Sequence, residues 1–382
     1  MNTEELRVIE MRGPARARGR AYGEACRDLI ASAIAAWKQN LGRVSLFLRP
    51  EPEETRRPRS GDRIADYLAE FLRTGEFIPA IEAWAPDLLE EVRGIAEGAG
   101  LPFADVLAIQ LGDEEWNFAM RRGLDRPVDK CSAFGLAGGP GRIGIAGQNL
   151  DTPMWIEGHQ ILLRVIPEDG PEALVFTYAG GIAMNGLNAA GIGITCNALA
   201  VMDYSAAGVP VAFVVRQVLM QRDYAAAVDL LRNLPHASGQ NYILSSGDKA
   251  RCFECCAAGV TEVVPDDLGR VTHTNHLLVS AHKDPRFPPT RRFNANSAAR
   301  LRSLDQRLAR PGQHATMADV KAALSASDDP DFPVCVPLQP GNPQSVVTGG
   351  ATIYEFTVPP RLHLASGPPD VTPYRVFEFE GA

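Results

Sequence analysis

Apolar positions recur at helical spacing through the first third of the chain, and at Cys131 the pattern changes. Residues 21–38, 63–72, 86–99 and 105–119 each carry apolar side chains three or four apart, which predicts four helices. A Pro/Arg/Glu-rich break at 49–61 predicts an exposed, mobile connection. From Cys131 onward the apolar runs shorten and glycine separates them. The runs 132–136, 143–148, 160–165, 173–178, 192–197, 241–245 and 260–264 have strand length, with turn residues between. Helices are predicted at 210–221, at 224–234 behind Asp223 as N-cap, and at 317–325 behind Thr316. Late strands are expected at 351–358 and 362–365. Strands, then helices, then strands point to packed antiparallel sheets with helices outside, an α+β fold.

Composition narrows the function classes. The 382 residues are 45% hydrophobic and 22% charged, as in an ordinary globular chain, with net charge -8. Nucleic acid rewards a clustered basic face, and the densest basic stretch, Arg56 to Arg63, is interleaved with Glu51, Glu53, Glu54 and Asp62. No nucleic-acid partner is therefore expected. No stretch reaches the ~18 apolar residues of a membrane span, and the first residues lack a signal-peptide core. The expectation is a cytoplasmic protein with no membrane partner. Seven cysteines, an odd number, suggest reduced thiols.

Nucleotide-phosphate loops and His-Glu-x-x-His are absent. Cys252-Phe-Glu-Cys255-Cys256 lacks a second ligand pair and reads as buried packing, and His273 and His276 have no third partner. No metal and no cofactor are expected. Cys131 differs by position, at the seam between helical and strand patterning in Asp129-Lys-Cys-Ser-Ala-Phe134. A thiol there has a route to the Lys130 carbonyl, and hydrolysis of the resulting thioester would free Cys131 as a new N-terminus. An α-amine titrates near ~7.7–8.0, so one residue would then carry both nucleophile and base. A lone cysteine at a strand start is more often structural, and spacing by itself leaves both readings open.

Several segments, in order, resemble the isopenicillin-N acyltransferase family of N-terminal-nucleophile hydrolases (peptidase family C45). They are Cys131-Ser-Ala-Phe134, Gly147-Gln-Asn-Leu-Asp151, Gly186-Leu-Asn-Ala-Ala-Gly191 leading to Asn197, His273-Thr-Asn-His276, and Gly350-Ala-Thr352 with Leu364-Ala-Ser-Gly-Pro368. Gly19 to Gly23 match more weakly.

The resemblance implies a four-layer αββα sandwich, cleaved between Lys130 and Cys131 into a mainly helical α chain (1–130) and a β chain (131–382) that stay associated. It implies Cys131 as nucleophile, Asn275 as oxyanion donor and Asp151 as a catalytic and substrate-site carboxylate, able to hold a positive amine or to orient the Cys131 amine. Asn149 and Asn197 are candidate substrate contacts beside a backbone-satisfying reading. Glu114, Glu115 and Trp116 are candidate pocket residues, with Glu115 assigned to substrate binding. The implied activity is hydrolysis of a small linear amide, an N-acyl amine or β-alanyl conjugate, through a thioester acyl-enzyme. Acyl transfer from a thioester or amide to an amine is the alternative, and an uncut binding protein on the same fold is the non-enzymatic one. The small amide and the two fragments are the expected partners, with room for a homo-oligomer. Two positions depart from the family: Lys130 stands where glycine is frequent, and Pro333-Val-Cys-Val336 lacks the family's arginine.

Overall fold

The computed structural model describes residues 6–46, 63–122, 130–284, 291–308, 314–342 and 345–380. The expected break at 49–61 lies outside them. Ahead of Cys131 come β1 (Arg7–Arg12), α1 (Ala15–Ala25), α2 (Arg27–Leu46), α3 (Arg63–Thr74), α4 (Phe77–Trp84), α5 (Pro86–Ala99), α6 (Phe103–Gln110) and α7 (Gly112–Arg121). The single helix expected over 105–119 is two, because the chain leaves helical geometry at Leu111, φ -103° and ψ 32°. After it follow β2 (Lys130–Leu136), β3 (Ile145–Pro153), β4 (Gln160–Ile166), β5 (Ala173–Tyr178), β6 (Asn185–Asn188) and β7 (Gly193–Ala198). Then come α8 (Val211–Leu219), α9 (Tyr224–Asn233), β8 (Gln240–Ser246), β9 (Lys249–Cys256), β10 (Gly259–Val263) and β11 (Arg270–His273). The last are α10 (Arg291–Leu308), α11 (Met317–Leu324), β12 (Val346–Glu355), β13 (Arg361–Ala365) and β14 (Arg375–Glu378).

The strands form two sheets, ordered β1-β4-β5-β6-β7-β8-β9-β10 and β11-β2-β3-β12-β13-β14. Alternation along each strand fixes the layers. On β4, Ile161, Leu163 and Val165 face the helices α1–α9, while Leu162 faces the second sheet. On β2, Phe134 and Leu136 face α10 and α11, while Cys131 and Ala133 face inward between the sheets. Helix, sheet, sheet, helix is the four-layer αββα order that the resemblance implied.

The helical layer is drawn in by glycine. A Cβ at Gly19 would lie 2.1 Å from the Glu91 carbonyl oxygen, and one at Gly94 2.2 Å from that of Arg16, so α1 and α5 touch backbone to backbone. Glu91, fully buried, accepts from Arg18 at 2.5 Å and from both terminal nitrogens of Arg216 at 2.6 and 3.0 Å, tying α1, α5 and α8 together. Burial alone would push its carboxyl up, but the two guanidinium groups outweigh it and hold the group below its ordinary range.

In the second sheet, β12 shifts register between Thr348 and Gly350 opposite Asp151 and Leu150. A Cβ at Gly350 would lie 2.3 Å from the Phe176 ring of the other sheet, which accounts for glycine there. Cys252, Cys255 and Cys256 are buried as free thiols, as their strand-like run suggested.

Candidate active site

Cys131 is the second residue of β2, paired with Leu150 of β3, and its neighbour Lys130 pairs with Asp151. Its backbone groups are held on both sides. The N–H donates to Asn275 Oδ1 at 2.9 Å, and the carbonyl accepts from Asn197 Nδ2 at 3.3 Å and from Arg300. Asn275 Oδ1 accepts from Arg300 at 2.9 Å as well, while its amide nitrogen donates to the Ala198 carbonyl at 3.1 Å. Two donors on one atom and an acceptor on the other fix the orientation of this amide and leave it a second N–H. Asn197 also donates to the carbonyls of His273 and Thr274, at 2.9 and 3.3 Å. Cys131, Asn275 and Asn197 thus meet at one point.

The loop bearing Asn275 is anchored from behind. Buried Glu254 accepts from the backbone N–H groups of Leu278 and Ser280, at 2.5 and 2.6 Å, and lies 3.0 Å from His273 Nε2. Burial pushes its carboxyl up, but these bonds outweigh it and hold the group below its ordinary value. His273 and His276 are engaged here and with Ser297, and among the described residues no group of three candidate ligands could hold a metal.

Cys131 opens onto a cavity of about 180 Å³ between the helical layer and the strand ends. Leu150 and Asp151 line it from β3, Trp37 and Leu41 from α2, and Asp113, Glu115 and Trp116 from α7. Asp151 Oδ1 accepts from Thr348 Oγ1 at 2.5 Å, at the shift in β12. Glu115 accepts the Tyr67 hydroxyl.

Residues 139–337 match the acyl-coenzyme A:6-aminopenicillanic acid acyl-transferase family, more than half of the chain. The chain belongs to that family. A curated relative, the 40 kDa form of acyl-coenzyme A:6-aminopenicillanic-acid-acyltransferase from Emericella nidulans, is 26% identical over 196 residues, 51% of this chain and 53% of the relative. The match spans about half the length of that relative. Among solved structures, a variant of conjugated bile acid hydrolase from Clostridium perfringens is similar at TM-score 0.40 and 10% identity, over 65% of this chain and 97% of that one. Penicillin V acylase from Agrobacterium tumefaciens is similar at TM-score 0.37 and 15% identity, over 66% and 86%. At these scores neither bears on the site.

Of the residues singled out in this acyl-transferase family member by sequence, Asn275 and Asn197 hold the Cys131 backbone without lining the cavity, and Asn149 falls elsewhere. It does not line the cavity: its amide nitrogen donates to the carbonyls of Leu324 and Val334, at 2.7 and 3.0 Å, and joins β3 to the outer helical layer. Glu114 also turns away, accepting from Ser238 Oγ at 2.7 Å and the Val211 N–H at 3.3 Å.

Several residues at or near the cavity were not anticipated, among them Arg300, Asp113, Gln240 and Cys196. Arg300, fully buried on α10, reaches Ser132 Oγ at 2.9 Å besides Cys131 and Asn275. Burial pushes its guanidinium below the ordinary value, opposed by Asp151 and Cys131. Asp113 opens α7, and burial pushes its carboxyl up to about 6. A hydrogen bond from the Gln240 amide nitrogen opposes that rise, and the Gln240 Oε1 is left without a hydrogen-bond partner. The second cysteine on the wall, Cys196, donates to the Met184 carbonyl at 3.2 Å. Burial pushes its thiol well above the ordinary value, with Asp113 and Glu114 adding to the effect, so it is a poor nucleophile.

Proposed function

We propose that the protein is a self-processing cysteine amidohydrolase that cuts itself between Lys130 and Cys131 and then cleaves small linear amides. One observation carries this reading: Cys131 lies on the cavity wall with its own nitrogen 2.9 Å from Asn275 Oδ1. Once the preceding peptide bond is broken, that nitrogen is an amine beside the thiol, held in place and able to accept its proton. The thiolate adds to the amide carbonyl, and the second Asn275 N–H stabilises the oxyanion. The C–N bond breaks as the protonated amine of Cys131 returns its proton to the leaving nitrogen, which leaves a thioester on sulfur. Water attacks next, giving up a proton to the same amine, and the thiol leaves as the free acid forms. Arg300 positions both Cys131 and Asn275. No step calls for a metal or an organic cofactor. The fragments 1–130 and 131–382 remain together, because β1 lies against β4 within one sheet.

The family's transferase description favours a second outcome, in which an amine replaces water on the thioester. Product analysis with and without an acceptor amine separates the two. Intact mass of the purified wild type should give two polypeptides, 1–130 and 131–382, and Cys131→Ala one uncut chain without activity. An active wild type of full-length mass, or a cut alanine variant, would exclude self-processing and its amine base.

A further inference from the structure

The chemistry above uses Cys131 on the cavity wall and leaves Asp113 and Gln240 unexplained. The described lining carries three carboxylates, Asp113, Glu115 and Asp151, and no lysine, arginine or histidine. Glu115 already receives the Tyr67 hydroxyl and Asp151 that of Thr348, whereas no cation among the described residues pairs with Asp113. Beside it Gln240, only 1% exposed, donates from Nε2 to that carboxylate and has its Oε1 without a hydrogen-bond partner. A buried acceptor left unmatched beside a carboxylate with no paired cation is a place where a donor-rich ligand has something to gain.

The donor and acceptor balance says which ligand. An ammonium group offers three donors and no acceptor. Asp113 and the Gln240 oxygen are acceptors, and the Gln240 amide nitrogen remains to donate to the carboxylate. An anionic group against Asp113 would meet a carboxylate that no cation among the described residues offsets. We infer that the Asp113–Gln240 end of the cavity is a subsite for a substrate ammonium group, so that the enzyme takes cationic amides and rejects carboxylate-bearing ones. The inference rests on the amidohydrolase reading for the fate of the substrate, though not for its binding. The ammonium can belong to the acyl part or to the amine part, and the two are told apart by probe.

Two isosteric pairs test it: 4-aminobutanoyl anilide against pentanoyl anilide, and N-acetyl-1,3-diaminopropane against N-butylacetamide. Both are measured on the processed wild type, turnover and KM for the probes it cleaves and calorimetry for any it does not. At least one ammonium probe should bind about tenfold or more tighter than its methyl isostere. Asp113→Asn should abolish the preference, and Gln240→Leu should reduce it. Equal affinity within both pairs, no binding of either ammonium probe, or a preference that survives both substitutions would overturn the subsite. An ammonium preference in binding without any turnover keeps the subsite and removes the hydrolase reading. Equal KM and equal turnover within both pairs does the reverse.

Discussion

Two acidic neighbourhoods are buried in the same helical layer and are treated in opposite ways. Glu91 has an arginine on each side, and its two oxygens accept three charged N–H bonds. Among the described residues no such cation pairs with Asp113 or Glu114; burial pushes the first up to about 6 and, with Asp113 adding to it, the second up to about 8. The first pattern is that of a joint and the second that of a site. Where every polar atom is matched from within, nothing is left for a ligand to do. Incomplete matching beside a cavity marks the place where binding has something to gain.

That contrast can be broken, and the largest test falls on the joint. Glu91→Gln should cost about 3–5 kcal/mol in urea unfolding, because two buried guanidinium groups lose their counterion. A cost under about 1 kcal/mol would mean that the matched pattern does not mark the scaffold. Gly94→Ala is expected to follow, at about 1–3 kcal/mol or more, since its methyl carbon would lie 2.2 Å from a backbone oxygen of α1. An unchanged midpoint would show that the helix pair can part without loss. The smallest effect falls at Glu114 and has a pH signature. Its carboxyl, ordinarily near 4.5, reaches about 8 in the fold. Across that window the folded chain keeps a proton that the unfolded chain has shed, so wild-type stability falls as pH rises. Relative to wild type, Glu114→Gln should therefore gain about 1–3 kcal/mol between about pH 4.5 and pH 8 and level off above it. A difference independent of pH would place an ionised carboxylate there and remove the contrast.

Much of the fold could be read from periodicity, because strands buried on one face and helices with apolar stripes write their burial into the sequence. Residues 160–165 and 173–178 became β4 and β5 almost end to end. Helix α10 was invisible for the opposite reason. Its inward face includes Asn296, Ser297 and Arg300 ahead of Leu304 and Leu308, so no continuous apolar stripe marks it. Arg300 was hidden with it. Asp113 and Gln240 are unremarkable letters in the chain and acquire meaning only when α7 and β8 bring them to one wall. Asn149 failed in the complementary way: within one motif, Leu150 and Asp151 reach the cavity while Asn149 points to the outer helices. Strand alternation is the signal that separates it from Leu150.

The parallel pairing of β1 with β4 has a consequence for how the chain comes into being. Arg7 faces Ile161, so β1, made before the other described strands, has no neighbour until its partner leaves the ribosome far behind it. By then helices α1 to α7 have all been synthesised, with their apolar stripes still waiting for the sheet that will cover them. Assembly of this layer is therefore forced late, and a chain arrested before β4 would carry its helices exposed and prone to aggregate.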